Sequence, residues 1–186
     1  MKNRIILASA SPRRAEILKN MGFDFIVIPS DIDEDINESQ PKEFVMTLAK
    51  NKALHVSNNN QGIIISADTI VVFQKQILGK PKDEADAKKM LKMLSGDKHS
   101  VYTGVCVFDT FNNKILCDYD KTDVYFDNMS DEEIEEYIKT GEPMDKAGAY
   151  GIQGKACKNI NRIEGCYFNV MGLPASKLYK MLKSIE

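Results

Sequence analysis

The chain has 186 residues, 43% hydrophobic and 28% charged, ordinary figures for one globular domain, or one domain in two lobes, with a real core. Its net charge of −2 and pI near 5.8 argue against a nucleic-acid surface, although they leave room for a local basic pocket. No apolar run reaches the length of a membrane span and no signal-peptide pattern precedes the first strand, so the expectation is a cytoplasmic protein without membrane or nucleic-acid partners.

Ile5-Ile6-Leu7 is too short for a helix and reads as a buried strand. Ser11 then stands where an N-cap belongs, with Pro12 at the first helical position, Ala15, Leu18 and Met21 in helical spacing, and Gly22 placed to end the helix. A strand running through a serine loop into a helix N-terminus offers backbone N–H groups and the positive end of the helix dipole to an anion. Ser9, Ser11, Arg13 and Arg14 add two hydroxyls and two guanidiniums there, a grouping suited to phosphate.

Phe23 to Ile28 reads as a second strand, and the acidic run from Ser30 to Glu38 as a loop, mostly solvated, from which one or two carboxylates can turn inward to hold a cation. Pro41 opens a helix with Phe44, Val45, Leu48, Lys52 and His55 in helical spacing, which puts Lys52 beside the apolar face. The β-branched stretch Ile63 to Phe73 reads as a buried strand with a break at Ser66 to Thr69. An acid such as Asp68 within it needs a partner, a metal or a raised pKa. A hairpin turn at Gln74 to Gln76 leads through Ile77-Leu78 to Lys80, which Pro81 holds extended so that its ammonium can reach across a site.

Asp83 to Leu94 is an amphipathic helix, His99 to Asp109 and Lys114 to Phe126 are two long strands, and Asp131 to Ile138 is a helix with Ser130 and Glu133 forming a capping box. The segment from Gly141 to Gly154 is too rich in glycine for a regular element, and its glycine spacing is not that of a dinucleotide fingerprint. Strands at Asn159 to Ile163 and Tyr167 to Val170 and a helix from Pro174 to Leu182 finish the chain. Cys106, Cys117, Cys157 and Cys166 show no metal-ligand spacing and read as small apolar residues.

These parts suit a site for phosphates, a divalent cation and a hydrolytic water. Glu34 and Asp68 are oxygen ligands of the kind Mg²⁺ takes, and Lys52, Lys80 and Lys146 are suited to neutralising a leaving pyrophosphate. The P-loop pattern is absent, and Asp68-Thr69 lacks the second aspartate of a haloacid-dehalogenase motif.

Ser9-Ala10-Ser11-Pro12-Arg13-Arg14, Ser66-Ala67-Asp68-Thr69, Gly79-Lys80-Pro81, Leu94-Ser95-Gly96, the string from Met144 to Gly154 and Val170-Met171-Gly172-Leu173-Pro174 resemble the Maf family of nucleoside triphosphate pyrophosphatases. The resemblance runs end to end. It implies a single α/β domain, residues 1–186, in two lobes on an elongated mixed β-sheet with flanking helices and an active-site cleft between the lobes. It also implies hydrolysis between the α and β phosphates, dependent on Mg²⁺ or Mn²⁺. By motif, Asp68 matches the family's general base, and Glu34, Lys52 and Lys80 match its other polar site positions; Asp31 and Asp33 stay candidates beside Glu34. Whether Asp68 is base, metal ligand or both is left open, as is a homodimer. Arg13, Thr69 and Gln153 match the branch acting on dTTP and UTP rather than the branch acting on 7-methyl-GTP, and a glutamine amide suits the imide edge of those bases. Two alternatives stand beside this reading: a nucleotide-binding regulator of septum formation without turnover, and a pyrophosphatase for deaminated purines such as ITP or XTP.

Overall fold

The computed structural model describes residues 4–32, 38 and 40–185. Its strands are β1 (Ile5–Leu7), β2 (Phe25–Val27), β3 (Ile63–Phe73), β4 (Gln76–Leu78), β5 (Lys98–Asp109), β6 (Lys114–Phe126) and β7 (Ile160–Glu164). Among the described residues the α-helices are α1 (Pro12–Asn20), α2 (Pro41–Ser57), α3 (Glu84–Leu94), α4 (Asp131–Ile138), α5 (Tyr167–Met171) and α6 (Ala175–Ile185). The strands form one mixed sheet in the order β2-β1-β3-β5-β6-β7, with β4 paired to β3. β1 lies parallel to both β2 and β3, while β3–β4 and β6–β7 are antiparallel. This is the α/β architecture on a mixed sheet that the sequence suggests.

The chain divides into two compact units: residues 1–68, 103–120 and 172–186 form the first, and residues 69–102 and 121–171 the second. In the first unit, Ile6 and Ala8 of the β1 edge, Ile64 of β3 and Cys106 and Phe108 of β5 face Ala49, Ala53 and Val56 of α2. The two-residue period of the strands and the three-to-four-residue period of the helix are what bring these side chains together. The buried stripe of α2 is Val45, Leu48, Ala49, Lys52, Ala53 and Val56, so Lys52 lies on the core face and His55 falls off it. The second unit has its own core, in which Leu91 and Leu94 of α3, Val101 of β5, Val124 and Phe126 of β6 and Ile134 of α4 are buried.

Three expectations are corrected. β3 runs unbroken from Ile63 to Phe73, because Ser66 and Asp68 find partners on α2 without leaving the ladder. The segment from Tyr167 to Met171 is a short helix, not a strand. Its first turn is closed by the Cys166 carbonyl, which accepts from the N–H groups of Asn169 and Val170, and Asn169 inside it is fully buried. Cys106 and Cys117 form a disulfide across the β5–β6 hairpin rather than staying separate apolar residues, because the hairpin register places their Cα atoms 4.2 Å apart. Cys157 and Cys166 carry no disulfide.

Candidate active site

In the first unit, β1 and β3 pair in the register Ile5↔Ile63, Ile6↔Ile64, Leu7↔Ile65, and the Ala8 N–H donates to the Ile65 carbonyl at 2.7 Å. The chain therefore leaves β1 at Ser9 level with the Ser66–Asp68 portion of its neighbour. The carboxyl ends of adjacent parallel strands are where open α/β sheets place ligands.

Ser9 is buried and organises the turn into α1: its Oγ accepts the Ser11 N–H at 3.2 Å and Arg14 Nη1 at 3.1 Å. Arg14 Nε donates to the Gly172 carbonyl at 2.8 Å, so this guanidinium ties the loop to the segment before α6. Ser11 has the extended backbone of an N-cap and precedes Pro12 as expected, but its hydroxyl makes no capping bond. Gly22, at φ +82°, ends α1 with its N–H donating to the Lys19 carbonyl. Arg13 is half-buried in the first turn of the helix.

Ser66 and Asp68 share the face of β3 that meets α2. The Ser66 hydroxyl donates to the Ala49 carbonyl at 2.5 Å, and Lys52 Nζ donates to Asp68 Oδ1 at 2.6 Å. Both side chains of the Lys52–Asp68 pair are 9% exposed. A buried carboxylate with one oxygen held by an ammonium is fixed in orientation, and among the described residues the second oxygen has no protein partner. Asp31 is exposed, whereas Asp33 and Glu34 lie outside the described residues.

The second unit begins at Thr69, the chain neighbour of Asp68 on β3. Lys80 is exposed beyond β4, and the adjacent Gly79 carbonyl accepts the Gly148 N–H at 3.0 Å, which ties the end of β4 to the glycine-rich segment. Gly148 is required there twice over. Its φ is +67°, and a Cβ would stand 2.8 Å from Cγ2 of Val71. Lys146 is largely occupied locally, donating to the Glu142 carbonyl at 2.7 Å and to Asp145 Oδ1 at 2.6 Å. Gln153 is exposed on the turn from Gly151 to Gly154, closed by the Gly154 N–H to the Gly151 carbonyl at 3.1 Å.

Two residues of this unit escaped the sequence reading. Tyr137 of α4 donates its phenol to Glu142 Oε1 at 2.9 Å and accepts the Gly151 N–H at 3.3 Å. Burial first, then the Glu142 carboxylate beside it, push the Tyr137 phenol well above its ordinary range, so it stays a donor. Nothing in the spacing of Tyr137, Glu142 and Gly154 marks the contact, since it exists only once the loop has folded back on α4.

For a divalent cation, the second oxygen of Asp68 is one donor available among the described residues. No group of three His, Cys, Asp or Glu side chains able to hold a metal occurs among them. One carboxylate fits an ion such as Mg²⁺, which keeps several waters and takes the rest of its ligands from substrate phosphates. Among the described residues no helix is long and apolar enough to cross a membrane.

The Maf-like protein family is matched over residues 4–185. The chain is 51% identical over 188 residues to the dTTP/UTP pyrophosphatase of Caldicellulosiruptor bescii, covering 98% of this chain and 94% of that protein. It is 54% identical over 184 residues to the dTTP/UTP pyrophosphatase of Alkaliphilus oremlandii, covering 97% and 95%. Among solved structures, the HAM1 protein from Coxiella burnetii shares the fold at a TM-score of 0.55 and 18% identity, covering 99% of this chain and all of that one. The Staphylococcus aureus Ham1 protein does so at 0.52 and 14%, covering 98% of this chain. With the serine–arginine loop, the Asp68 strand and the glycine-rich turn all inside the matched span, the chain belongs to the Maf family.

Proposed function

We propose that this protein hydrolyses dTTP and UTP between the α and β phosphates, releasing the nucleoside monophosphate and pyrophosphate. The observation that carries the reading is the Lys52–Asp68 pair, a carboxylate buried in a strand with one oxygen anchored and the other without a protein partner among the described residues. A carboxylate so placed is suited to orienting and deprotonating a water, a task that a protein which only bound nucleotides would not need. The near-half identity to proteins named dTTP/UTP pyrophosphatase supports the same assignment.

In this reading Ser11, Arg13 and the N–H groups opening α1 bind phosphate oxygens, while Ser9 and Arg14 hold the loop in shape. Asp68 orients a water and takes its proton on the oxygen that Lys52 does not occupy. Lys52 keeps the carboxylate aimed, and Lys80 and Lys146 offer positive charge to the departing pyrophosphate. A divalent cation, when bound, would neutralise phosphate charge; Glu34, the carboxylate of the acidic loop assigned to it from the family resemblance, would hold it together with substrate phosphates and waters, leaving the second Asp68 oxygen to the hydrolytic water. Gln153 pairs its amide with a carbonyl and N–H of thymine or uracil, with Thr69 and Arg13 the other positions tied to that choice.

A panel of nucleoside triphosphates with Mg²⁺ or Mn²⁺, followed by pyrophosphate release, tests the proposal. dTTP and UTP are expected to lead by kcat/KM over ATP, GTP and ITP. Preference for ITP would favour a deaminated-purine enzyme, and binding of dTTP without release would favour a regulator.

A further inference from the structure

The Glu142 carboxylate occupies a place that the proposed chemistry does not use. It accepts the Tyr137 phenol on Oε1 at 2.9 Å and the Lys155 N–H on Oε2 at 3.0 Å. The Tyr137 oxygen in turn accepts the Gly151 N–H at 3.3 Å. One carboxylate–phenol pair thus holds the backbone on both sides of the turn, at Gly151 and Lys155, and the residues left between the two anchors are Ile152, Gln153 and Gly154. Gly154 has an ordinary negative φ of −95°, so backbone freedom does not explain it. Space does: a Cβ at 154 would lie 1.7 Å from Glu142 Oε1, inside the carboxylate. A Cβ at Gly151 would likewise lie 2.7 Å from Cε of Lys146, whose ammonium is bonded to the Glu142 carbonyl. Both glycines of the turn are therefore seated against residue 142 or its immediate partner.

We propose that Glu142, acting with Tyr137, is a positioning residue for nucleobase selection: it fixes the turn that presents Gln153. The inference rests on the reading of Gln153 as the group that pairs with the base edge. Glu142 touches no reacting atom in this scheme. Its effect is to keep the exposed Gln153 amide from swinging, so that the energy of pairing with an imide is not spent on ordering the loop. Selectivity for the base should then depend on Glu142 even though phosphate binding and water activation do not.

The test is steady-state kinetics on dTTP and GTP for the wild type, Glu142→Ala, Glu142→Gln, Gln153→Ala and the double variant Glu142→Ala/Gln153→Ala. Glu142→Ala is expected to lower kcat/KM for dTTP about tenfold, mainly through KM, and to change GTP by less than about twofold. Glu142→Gln keeps one acceptor oxygen and should fall between wild type and Glu142→Ala. In the Gln153→Ala background, Glu142→Ala should add less than about a further twofold on dTTP, because residues acting through one another are not additive. Equal losses on dTTP and GTP, or full additivity with Gln153→Ala, would overturn the positioning role while leaving Gln153 as base reader. An equal loss on the two nucleotides for Gln153→Ala alone would overturn the base-reading itself. If Glu142→Ala fails to fold, Glu142→Gln and Tyr137→Phe carry the same comparison, and an unchanged dTTP-to-GTP ratio in both would sink the inference.

Discussion

Lys52 Nζ and Asp68 Oδ1 stand 2.6 Å apart, and both side chains are 9% exposed. Removing one member of such a pair leaves the other charge buried alone, which costs about 3–5 kcal/mol. Lys52→Ala is therefore expected to be strongly destabilised in urea unfolding. Lys52→Met/Asp68→Leu should regain most of that loss while remaining without turnover, since apolar groups of similar size often replace buried ion pairs well. A Lys52→Ala protein within about 1 kcal/mol of wild type, the range of exposed pairs, would show that the pair is solvated in solution.

Gly104 predicts a second stability effect, of steric origin. A Cβ there would lie 2.2 Å from the Val45 carbonyl oxygen and 2.8 Å from the Met46 N, and backbone inside a packed helix cannot yield as a side-chain tip can. Gly104→Ala should cost at least the upper part of the about 1–3 kcal/mol usual for overpacking. Because the contact is with the helix that carries Lys52, dTTP turnover per folded molecule should fall as well. Calorimetry with kinetics on the folded fraction reads both, and a Tm within a degree of wild type would contradict the packing described for β5 on α2.

Arg14 bridges the Gly172 carbonyl and the Ser9 hydroxyl. Arg14→Ala should lower stability by about 1.5–3 kcal/mol, the range for hydrogen bonds made by charged groups, and raise KM for dTTP because the loop opening α1 loses its brace. Arg14→Lys should restore little, since one ammonium on a flexible stem does not reproduce a planar fork. Full rescue by lysine would mean that only the charge matters.

His99 gives a pH signature in the second unit. Its Nε2 lies 2.7 Å from the Tyr150 hydroxyl, its ring packs edge-on to Phe126 and Tyr150, and its Nδ1 has no hydrogen-bond partner among the described residues. Burial pushes His99 down to about 4, against a smaller opposing pull from Asp123 and Asp97. With the unfolded imidazole near 6.5, the unfolded chain binds the extra proton first as pH drops. Neutral His99 thus contributes its full share above about 6.5, and the share is lost progressively as pH falls towards 4, up to about 3 kcal/mol in all. Wild type minus His99→Gln, compared by urea unfolding at pH 7 and pH 4.5, isolates this share from the titrating carboxylates. A difference that does not shrink at the lower pH would contradict the burial of an uncharged ring.

Local signals were the legible ones. Pro12 and Gly22 bound the first helix, and the Ser130–Glu133 capping box is present in both its bonds, because these devices are completed within a few residues of chain. Ser66 and Asp68 look like polar interruptions of β3 in the sequence, yet both stay within the strand. Their partners, Ala49 and Lys52, lie 17 and 16 residues away and are invisible to any short window. Tyr167 to Val170 has the aromatic and β-branched composition of a strand. It is helical with Asn169 buried and donating to the Val101 carbonyl and Thr122 Oγ1, contacts 68 and 47 residues distant. In the candidate site, the hydroxyls, guanidiniums and carboxylate were legible as residue types, and the Lys52–Asp68 pairing follows from α2 presenting position 52 to β3. Glu142 was not legible, because its role comes from the space left at Gly154.

In the proposed mechanism Asp68 activates water for cleavage between the α and β phosphates. Phosphorus NMR of dTTP turnover with Mg²⁺, run on wild type and on Asp68→Asn, tests it most directly. The wild type is expected to give dTMP and pyrophosphate as its sole first products, and Asp68→Asn to lose turnover while still binding dTTP, since the amide keeps the shape and removes the base. Release of dTDP and orthophosphate by the wild type, or near wild-type pyrophosphate release by Asp68→Asn, would contradict it.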